Sequence, residues 1–221
     1  MEALRPRKQL ALDTNLLLDL AADVDFAHDF KEVFQRRGYA FLAPPTVLAE
    51  LHEQSVNSAT MPKRELARIA LAKIVGWDVI PLHLSTLETA IAERLANRFL
   101  ELRLLPDFEY NDAMILAETA VENIPLLVTS DKHLLDLDED ALALAFTEAD
   151  LPAAHPVRPK ALLRAMRQRS EIRLALGAFP CEKEQAVERW QSGLTRTPGE
   201  RECLNSTGGS NPPLSAIPAQ A

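Results

Sequence analysis

Short apolar runs alternate with helix-patterned stretches along this chain of 221 residues, and that alternation admits few folds. Leu10-Ala11-Leu12, Tyr39 to Leu42, Trp77 to Leu82 and Leu126-Leu127-Val128 read as short buried strands. Between them, apolar residues recur at helical spacing. Phe26, Phe30, Val33 and Phe34 make one such stripe, Val47, Leu48 and Leu51 a second, and Leu66, Ile69 and Ala70 a third. Leu87, Ile91, Leu95 and Phe99 make a fourth, and Ala113, Leu116, Ala117 and Ala120 a fifth. Strands that alternate with helices pair in parallel and build a layered α/β domain. The Ala-rich stretch Leu142 to Phe146 is expected to supply the last strand, and Pro159-Lys160 to open a closing helix with Leu162, Leu163 and Met166 inward.

Local punctuation agrees with this division. Gly38 ends one helix, and Pro44-Pro45 stops the second strand and places Pro45 or Thr46 at the next helix start. Pro62 opens another helix, with Gly76 at its end. Ser85 and Glu88, three apart, have the spacing of a capping box. Beyond Ser192 the sequence becomes rich in Gly and Pro and carries no aromatic residue, so that stretch is expected to be disordered. The expected division is a domain over 1–166, a basic and amphipathic helical extension over 167–191 that includes Glu182 to Trp190, and a tail over 192–221.

Composition narrows the setting. No apolar stretch reaches the ~20 residues of a membrane span, and Met1 to Gln9 lack a signal-peptide pattern. Only Cys181 and Cys203 occur, which gives no disulfide framework. A cytoplasmic protein without a membrane partner is expected. The net charge of −8 is unlike that of a dedicated nucleic-acid binder. Basic residues are nonetheless concentrated in Lys63 to Lys73 and in Lys160 to Arg173.

Four acids stand where a parallel α/β sheet presents residues to ligands, outside the carboxyl ends of its strands. Asp13 ends the first strand. Glu50 lies in the helix after the second. Asp112 lies in the first turn of its helix, and Asp131 follows the strand Leu126-Leu127-Val128. Each taken singly has a structural reading, as a helix cap, a helix-dipole partner or a solvated residue. Taken together they repel: two unit charges ~5 Å apart cost on the order of 3 kcal/mol at an effective dielectric near 20. A divalent cation relieves that repulsion, and oxygen-only ligands suit Mg²⁺ or Mn²⁺.

Asp13-Thr14-Asn15, Glu50 within Thr46-Val47-Leu48-Ala49-Glu50-Leu51, Asp112 within Asn111-Asp112-Ala113, and Val128-Thr129-Ser130-Asp131-Lys132 resemble the successive motifs of PIN-domain nucleases. The resemblance runs from about Lys8 to Met166. It implies a three-layer α/β/α PIN-like domain with a central parallel sheet, here carrying a C-terminal extension. It also implies a Mg²⁺- or Mn²⁺-dependent endoribonuclease, of the kind that serves in many bacteria as the VapC-like toxin of a toxin–antitoxin pair. By the same resemblance Asp13, Glu50 and Asp112 hold the metal, Asp131 holds it directly or through water, and Asn15 with Thr129 or Ser130 orients those carboxylates. An RNA substrate, an antitoxin protein and a homodimer are the partners implied. Lys132 beside Asp131, and Lys160, Arg164 and Arg167 on the closing helix, are candidates for phosphate contact.

Thr14 reads only as a cap for the helix after Asp13, and Asn111 has no assignable role. Two other function classes fit parts of the pattern. A non-catalytic RNA- or protein-binding module would keep the same acids. A phosphatase with Asp13 as nucleophile would resemble enzymes that carry a second Asp two residues later, where this chain has Asn15.

Overall fold

A computed structural model describes residues 8–175. The expected helix over 182–190, the expected disordered tail and both cysteines lie outside the described residues.

The apolar runs pair as their pattern requires. Strands β1 (Lys8–Leu12), β2 (Tyr39–Ala43), β3 (Val79–Pro81), β4 (Leu126–Val128) and β5 (His155–Val157) form one all-parallel sheet in the order β3-β2-β1-β4-β5. Helices α1 (Thr14–Ala21), α2 (Asp25–Gln35), α3 (Pro45–Asn57), α4 (Met61–Lys73), α5 (Thr86–Glu101), α6 (Tyr110–Val121), α7 (Lys132–Leu135), α8 (Glu139–Glu148) and α9 (Pro159–Ala175) connect and cover the strands. The result is the three-layer α/β/α arrangement. Leu10, Ala11, Leu12, Leu127 and Val128 are almost wholly buried, as strands covered on both faces must be. Phe30 and Phe34 of α2 stack on each other at 4.4 Å and pack toward Phe41 of β2.

The punctuation holds where its chemistry is specific. Gly38 takes φ +78°, a left-handed turn between α2 and β2. Pro45 opens α3 at its first position. Ser85 and Glu88 make the full capping box at the start of α5, the Glu88 N–H donating to Ser85 Oγ and the Ser85 N–H to Glu88 Oε2.

Four expectations need correction. Leu142 to Phe146 is not a strand but the middle of α8. Asp138 caps that helix by accepting from the Ala141 N–H at 2.8 Å, and Leu142, Ala145 and Phe146 form a helical stripe. The fifth strand is β5, whose Pro156 is tolerated because the strand lies at the sheet edge. Trp77 is not part of a strand but closes a 3₁₀ turn, Val75–Trp77, which contains Gly76 and joins α4, ending at Lys73, to β3. On α4 the fully buried residues are Ala67 and Ala70, with Leu66 and Ile69 half-buried. On α5 the inward face is Ala92, Leu95, Ala96 and Phe99, leaving Leu87 71% exposed. Small residues let α5 and α6 approach closely, which a stripe counted on large side chains alone misses.

Candidate active site

The strand order reverses between β1 and β4, which leave the sheet side by side. In open α/β sheets this is the crevice where ligands bind. The Asp13 N–H donates to Val128 O at 3.0 Å and so pins the end of β1 to β4.

Asp13 caps α1 and is 2% exposed. Its Oδ1 accepts from the Thr14 N–H at 2.6 Å. Its Oδ2 accepts from the Thr129 hydroxyl at 2.6 Å and from Asn15 Nδ2 at 3.1 Å. Thr129 Oγ1 in turn accepts from the Asp131 N–H at 2.9 Å. On the other side the Thr14 hydroxyl donates to Glu50 Oε2 at 2.5 Å. One chain of hydrogen bonds therefore runs from Glu50 through Thr14, Asp13 and Thr129 to Asp131. Asp131 also caps α7, its Oδ1 accepting from the His133 N–H at 2.7 Å and the Leu134 N–H at 3.3 Å.

Asp112 joins the set through charge. Burial, and then the negative charges of Asp131, Asp13 and Glu109, push its carboxyl up to about 8. Burial pushes Asp13 up to about 6. The Thr129 and Thr14 hydrogen bonds pull it the other way, and the Glu50 charge adds to the rise. Asp13, Glu50, Asp112 and Asp131 thus occupy one electrostatic neighbourhood, although they are far apart in sequence.

Among the described residues no three acid, histidine or cysteine side chains stand close enough to enclose a metal ion together. The donor set still fits Mg²⁺ or Mn²⁺. These ions are held by one or two carboxylates with waters completing the octahedron, and crowded carboxylates of raised pKa have charge to be neutralised.

Of the other expected residues, Asn15 and Thr129 contact the Asp13 carboxylate. Ser130 is exposed and makes no hydrogen bond among the described residues. Lys132 is exposed, one position after Asp131. Lys160 and Arg167 instead engage α2: the Lys160 ammonium lies 5.4 Å from the Phe26 ring centroid, and Arg167 pairs with Asp29 at 2.8 Å. Arg164 is exposed.

Sequence reasoning missed three contributors. Asp13, not Thr14, is the cap of α1; the buried Thr14 hydroxyl serves Glu50. Glu109 interacts with Asp112 and faces His133, its Oε1 3.5 Å from Nε2. Glu118 on α6 is 3% exposed and accepts from the Thr46 N–H at 3.0 Å and the Thr46 hydroxyl at 2.7 Å. It thereby ties the first turn of α3, which carries Glu50, to the helix that carries Asp112. A sequence signal was present: Glu118 directly follows the unbroken apolar run Ala113 to Ala117, and the structure buries every position from Ala113 to Ala120.

Comparison with known proteins bears on this geometry. The family model described as PIN domain matches residues 10–140. No curated protein matches. Among solved structures, a chain of VapBC2 from Rickettsia felis bound to a DNA fragment from their promoter is similar, at 18% identity and a TM-score of 0.46. The match covers 67% of this chain and 98% of that one.

Proposed function

This chain belongs to the PIN-domain family, and on that premise we propose that it is a Mg²⁺- or Mn²⁺-dependent endoribonuclease whose site is the Asp13–Glu50–Asp112–Asp131 cluster. The observation that carries the reading is the hydrogen-bond chain from Glu50 to Asp131, which gathers the acids of separate motifs at the β1/β4 crevice. Structural proteins do not benefit from such crowding, since each buried carboxylate raises the cost of the next.

In the reaction, water adds at phosphorus, the bond from phosphorus to one ribose oxygen breaks, and that oxygen takes up a proton. By the family resemblance Asp13, Glu50 and Asp112 are the groups that would hold a divalent ion, one or two of them directly and the others, like Asp131, through its waters. Such an ion, when bound, neutralises charge on the phosphate and lowers the pKa of water. The chain itself contributes orientation. Thr129 and Asn15 fix the Asp13 carboxylate, and Thr14 fixes Glu50, so these oxygens need no reorganisation when substrate arrives. Lys132, exposed and next to Asp131 in sequence, would meet phosphate.

Asn15 stands where nucleophilic phosphatases of that kind carry a second Asp, two residues after the nucleophile, which argues against that reading. An antitoxin partner and a homodimer rest on family resemblance alone. A cytoplasmic setting is consistent with the described helices, none of which is long and apolar enough to cross a membrane.

The test is cleavage of mixed RNA by the purified chain with Mn²⁺, with chelator as control, alongside Asp13→Asn and Asp112→Asn. Metal-dependent cleavage that both variants lose while keeping their circular dichroism supports the reading. Metal-dependent binding without cleavage favours an inactive module, and cleavage retained in both variants contradicts the site.

A further inference from the structure

Asp112 is the acid that the hydrogen-bond chain does not reach. Thr14 and Thr129 tie Glu50, Asp13 and Asp131 together, while Asp112 meets Asp13 and Asp131 through charge alone. Asp112 lies in the first turn of α6, and Asp131 caps α7. The distance between these two carboxylates therefore depends on what joins the start of α6 to the start of α7, elements that lie before and after β4 in the chain.

Two side chains bridge that gap. Glu109, the residue before α6, has its Oε1 3.5 Å from Nε2 of His133 on α7. Glu109 also meets Asp112, three positions on, carboxyl to carboxyl. His133 reaches Asp131 through its backbone, the N–H donating to Oδ1 at 2.7 Å. A circuit thus runs from Asp131 through His133 and Glu109 to Asp112. The imidazole is held from a second direction, its ring edge-on to that of Phe108 with 6.1 Å between centroids. As a stabilising contact this bridge has little to offer. Its side chains are 47% and 25% exposed and stand toward the far end of ion-pair range, and exposed pairs contribute little to folding. Geometry is another matter. Mg²⁺ demands near-octahedral oxygens at short distances, and residues that orient metal ligands from behind change metal affinity by about 10–100-fold when removed.

We propose that Glu109 and His133 are paired positioning residues that brace α6 against α7 and so set where the Asp112 carboxylate stands relative to Asp131 for a divalent ion. The proposal rests on the metal-dependent reading of the cluster and deepens it, because it names two side chains outside the four acids on which the ion's affinity depends. Electrostatics alone makes the opposite forecast for one of them. Removing the imidazole takes no negative charge from the site, so a cation drawn only by charge would bind His133→Ala as tightly as before, or more tightly.

The test is Mn²⁺ binding to the full chain by calorimetry, checked by the electron paramagnetic resonance signal of free Mn²⁺. The unaltered chain is compared with His133→Ala, His133→Gln, Glu109→Ala and the double variant Glu109→Ala/His133→Ala, and each is also unfolded thermally without metal. His133→Ala and Glu109→Ala should each bind Mn²⁺ about tenfold more weakly. The double variant should bind no more weakly than the weaker single one, because one loss already breaks the brace. His133→Gln keeps a side-chain N–H to face Glu109 and should recover most of the affinity. Melting temperatures should move by no more than about 3 °C. Unchanged or tighter Mn²⁺ binding in His133→Ala overturns the proposal, as do losses that add in the double variant. A melting temperature that falls along with the affinity would make the pair a structural contact and overturn it too. Failure of the unaltered chain to bind Mn²⁺ would instead overturn the metal reading itself, and the brace with it.

Discussion

Asp13 carries the most chemistry of any described residue, because it is at once a helix cap, a strand anchor and a buried acid. Its carboxyl titrates near 6 in the folded protein against an ordinary 3.8. A carboxyl raised in this way binds its proton more tightly when folded. Its contribution therefore favours folding fully at low pH and is lost as pH rises through the folded pKa. Asp112, displaced further, to about 8, acts in the same direction over a higher range. Urea unfolding of the metal-free protein should accordingly show stability falling between pH 5 and about 8, and added Mn²⁺ should remove much of that fall. A metal-free stability that climbs through this window would mean the acids do not crowd. Asp13→Asn should raise metal-free stability by roughly 1–2 kcal/mol. This is less than the ~3 kcal/mol that the pKa displacement alone implies, because an amide restores only some of the accepted hydrogen bonds. The same variant should abolish cleavage. Thr129→Val tests orientation separately. It removes the hydroxyl that Asp13 Oδ2 and the Asp131 N–H share, and should cost about 1–3 kcal/mol by thermal unfolding while reducing cleavage by more than tenfold. Thr129→Ser, which keeps the hydroxyl, should recover most of both.

Between elements, the decisive contact is the clamp of Glu118 on Thr46. It joins α6 to the first turn of α3, six residues from Asp112 on one helix and four from Glu50 on the other. Burial raises the Glu118 carboxyl pKa, and the two hydrogen bonds from Thr46 offset part of that. Glu118→Gln, which retains an acceptor for Thr46 and removes the charge, should fold at least as stably and keep cleavage. Glu118→Ala leaves the half-buried Thr46 N–H and hydroxyl without that partner, and should lose about 1 kcal/mol and show weaker Mn²⁺ affinity by calorimetry. Equal Mn²⁺ affinity in both variants would make the clamp purely structural. The elements also show where a lone sequence speaks and where it falls silent. Caps and turns were legible because their chemistry is local: Ser85 with Glu88, Pro45 and Gly38 each act within a few residues. Trp77, β5 and the α5 face were not, because each depends on what lies across the fold. The stripe on α5 was counted from Leu87 and Ile91, yet alanines let α6 approach and those two side chains were left outside. His155-Pro156-Val157 carries no strand pattern of its own, and only pairing with β4 makes it one.

For the whole molecule, the strand order explains why Asp13 and Asp131, far apart in sequence, come together. With β1 central and β4 beside it, residues just after these two strands must meet, so an acid at each strand end predicts a shared pocket. The hydrogen-bond chain through Thr14 and Thr129 was not legible, since the hydroxyls that complete it carry no spacing signal. On the proposed ribonuclease reading, a net charge of −8 requires that RNA be held by a local patch. Binding through Lys132 and Arg164, both exposed, should give a shallow salt dependence, with log affinity falling by about 1.4 per decade of salt. A slope beyond about −3 would mean that further basic side chains take part. All of this depends on a doubly charged cation lying among the four carboxylates. The most direct measurement is anomalous diffraction from crystals soaked in Mn²⁺. A peak within coordination distance of Asp13 and at least one of Glu50, Asp112 and Asp131 is the predicted result, absent from Asp13→Asn crystals. A soaked crystal with no peak there, or with manganese bound only elsewhere, would contradict the account.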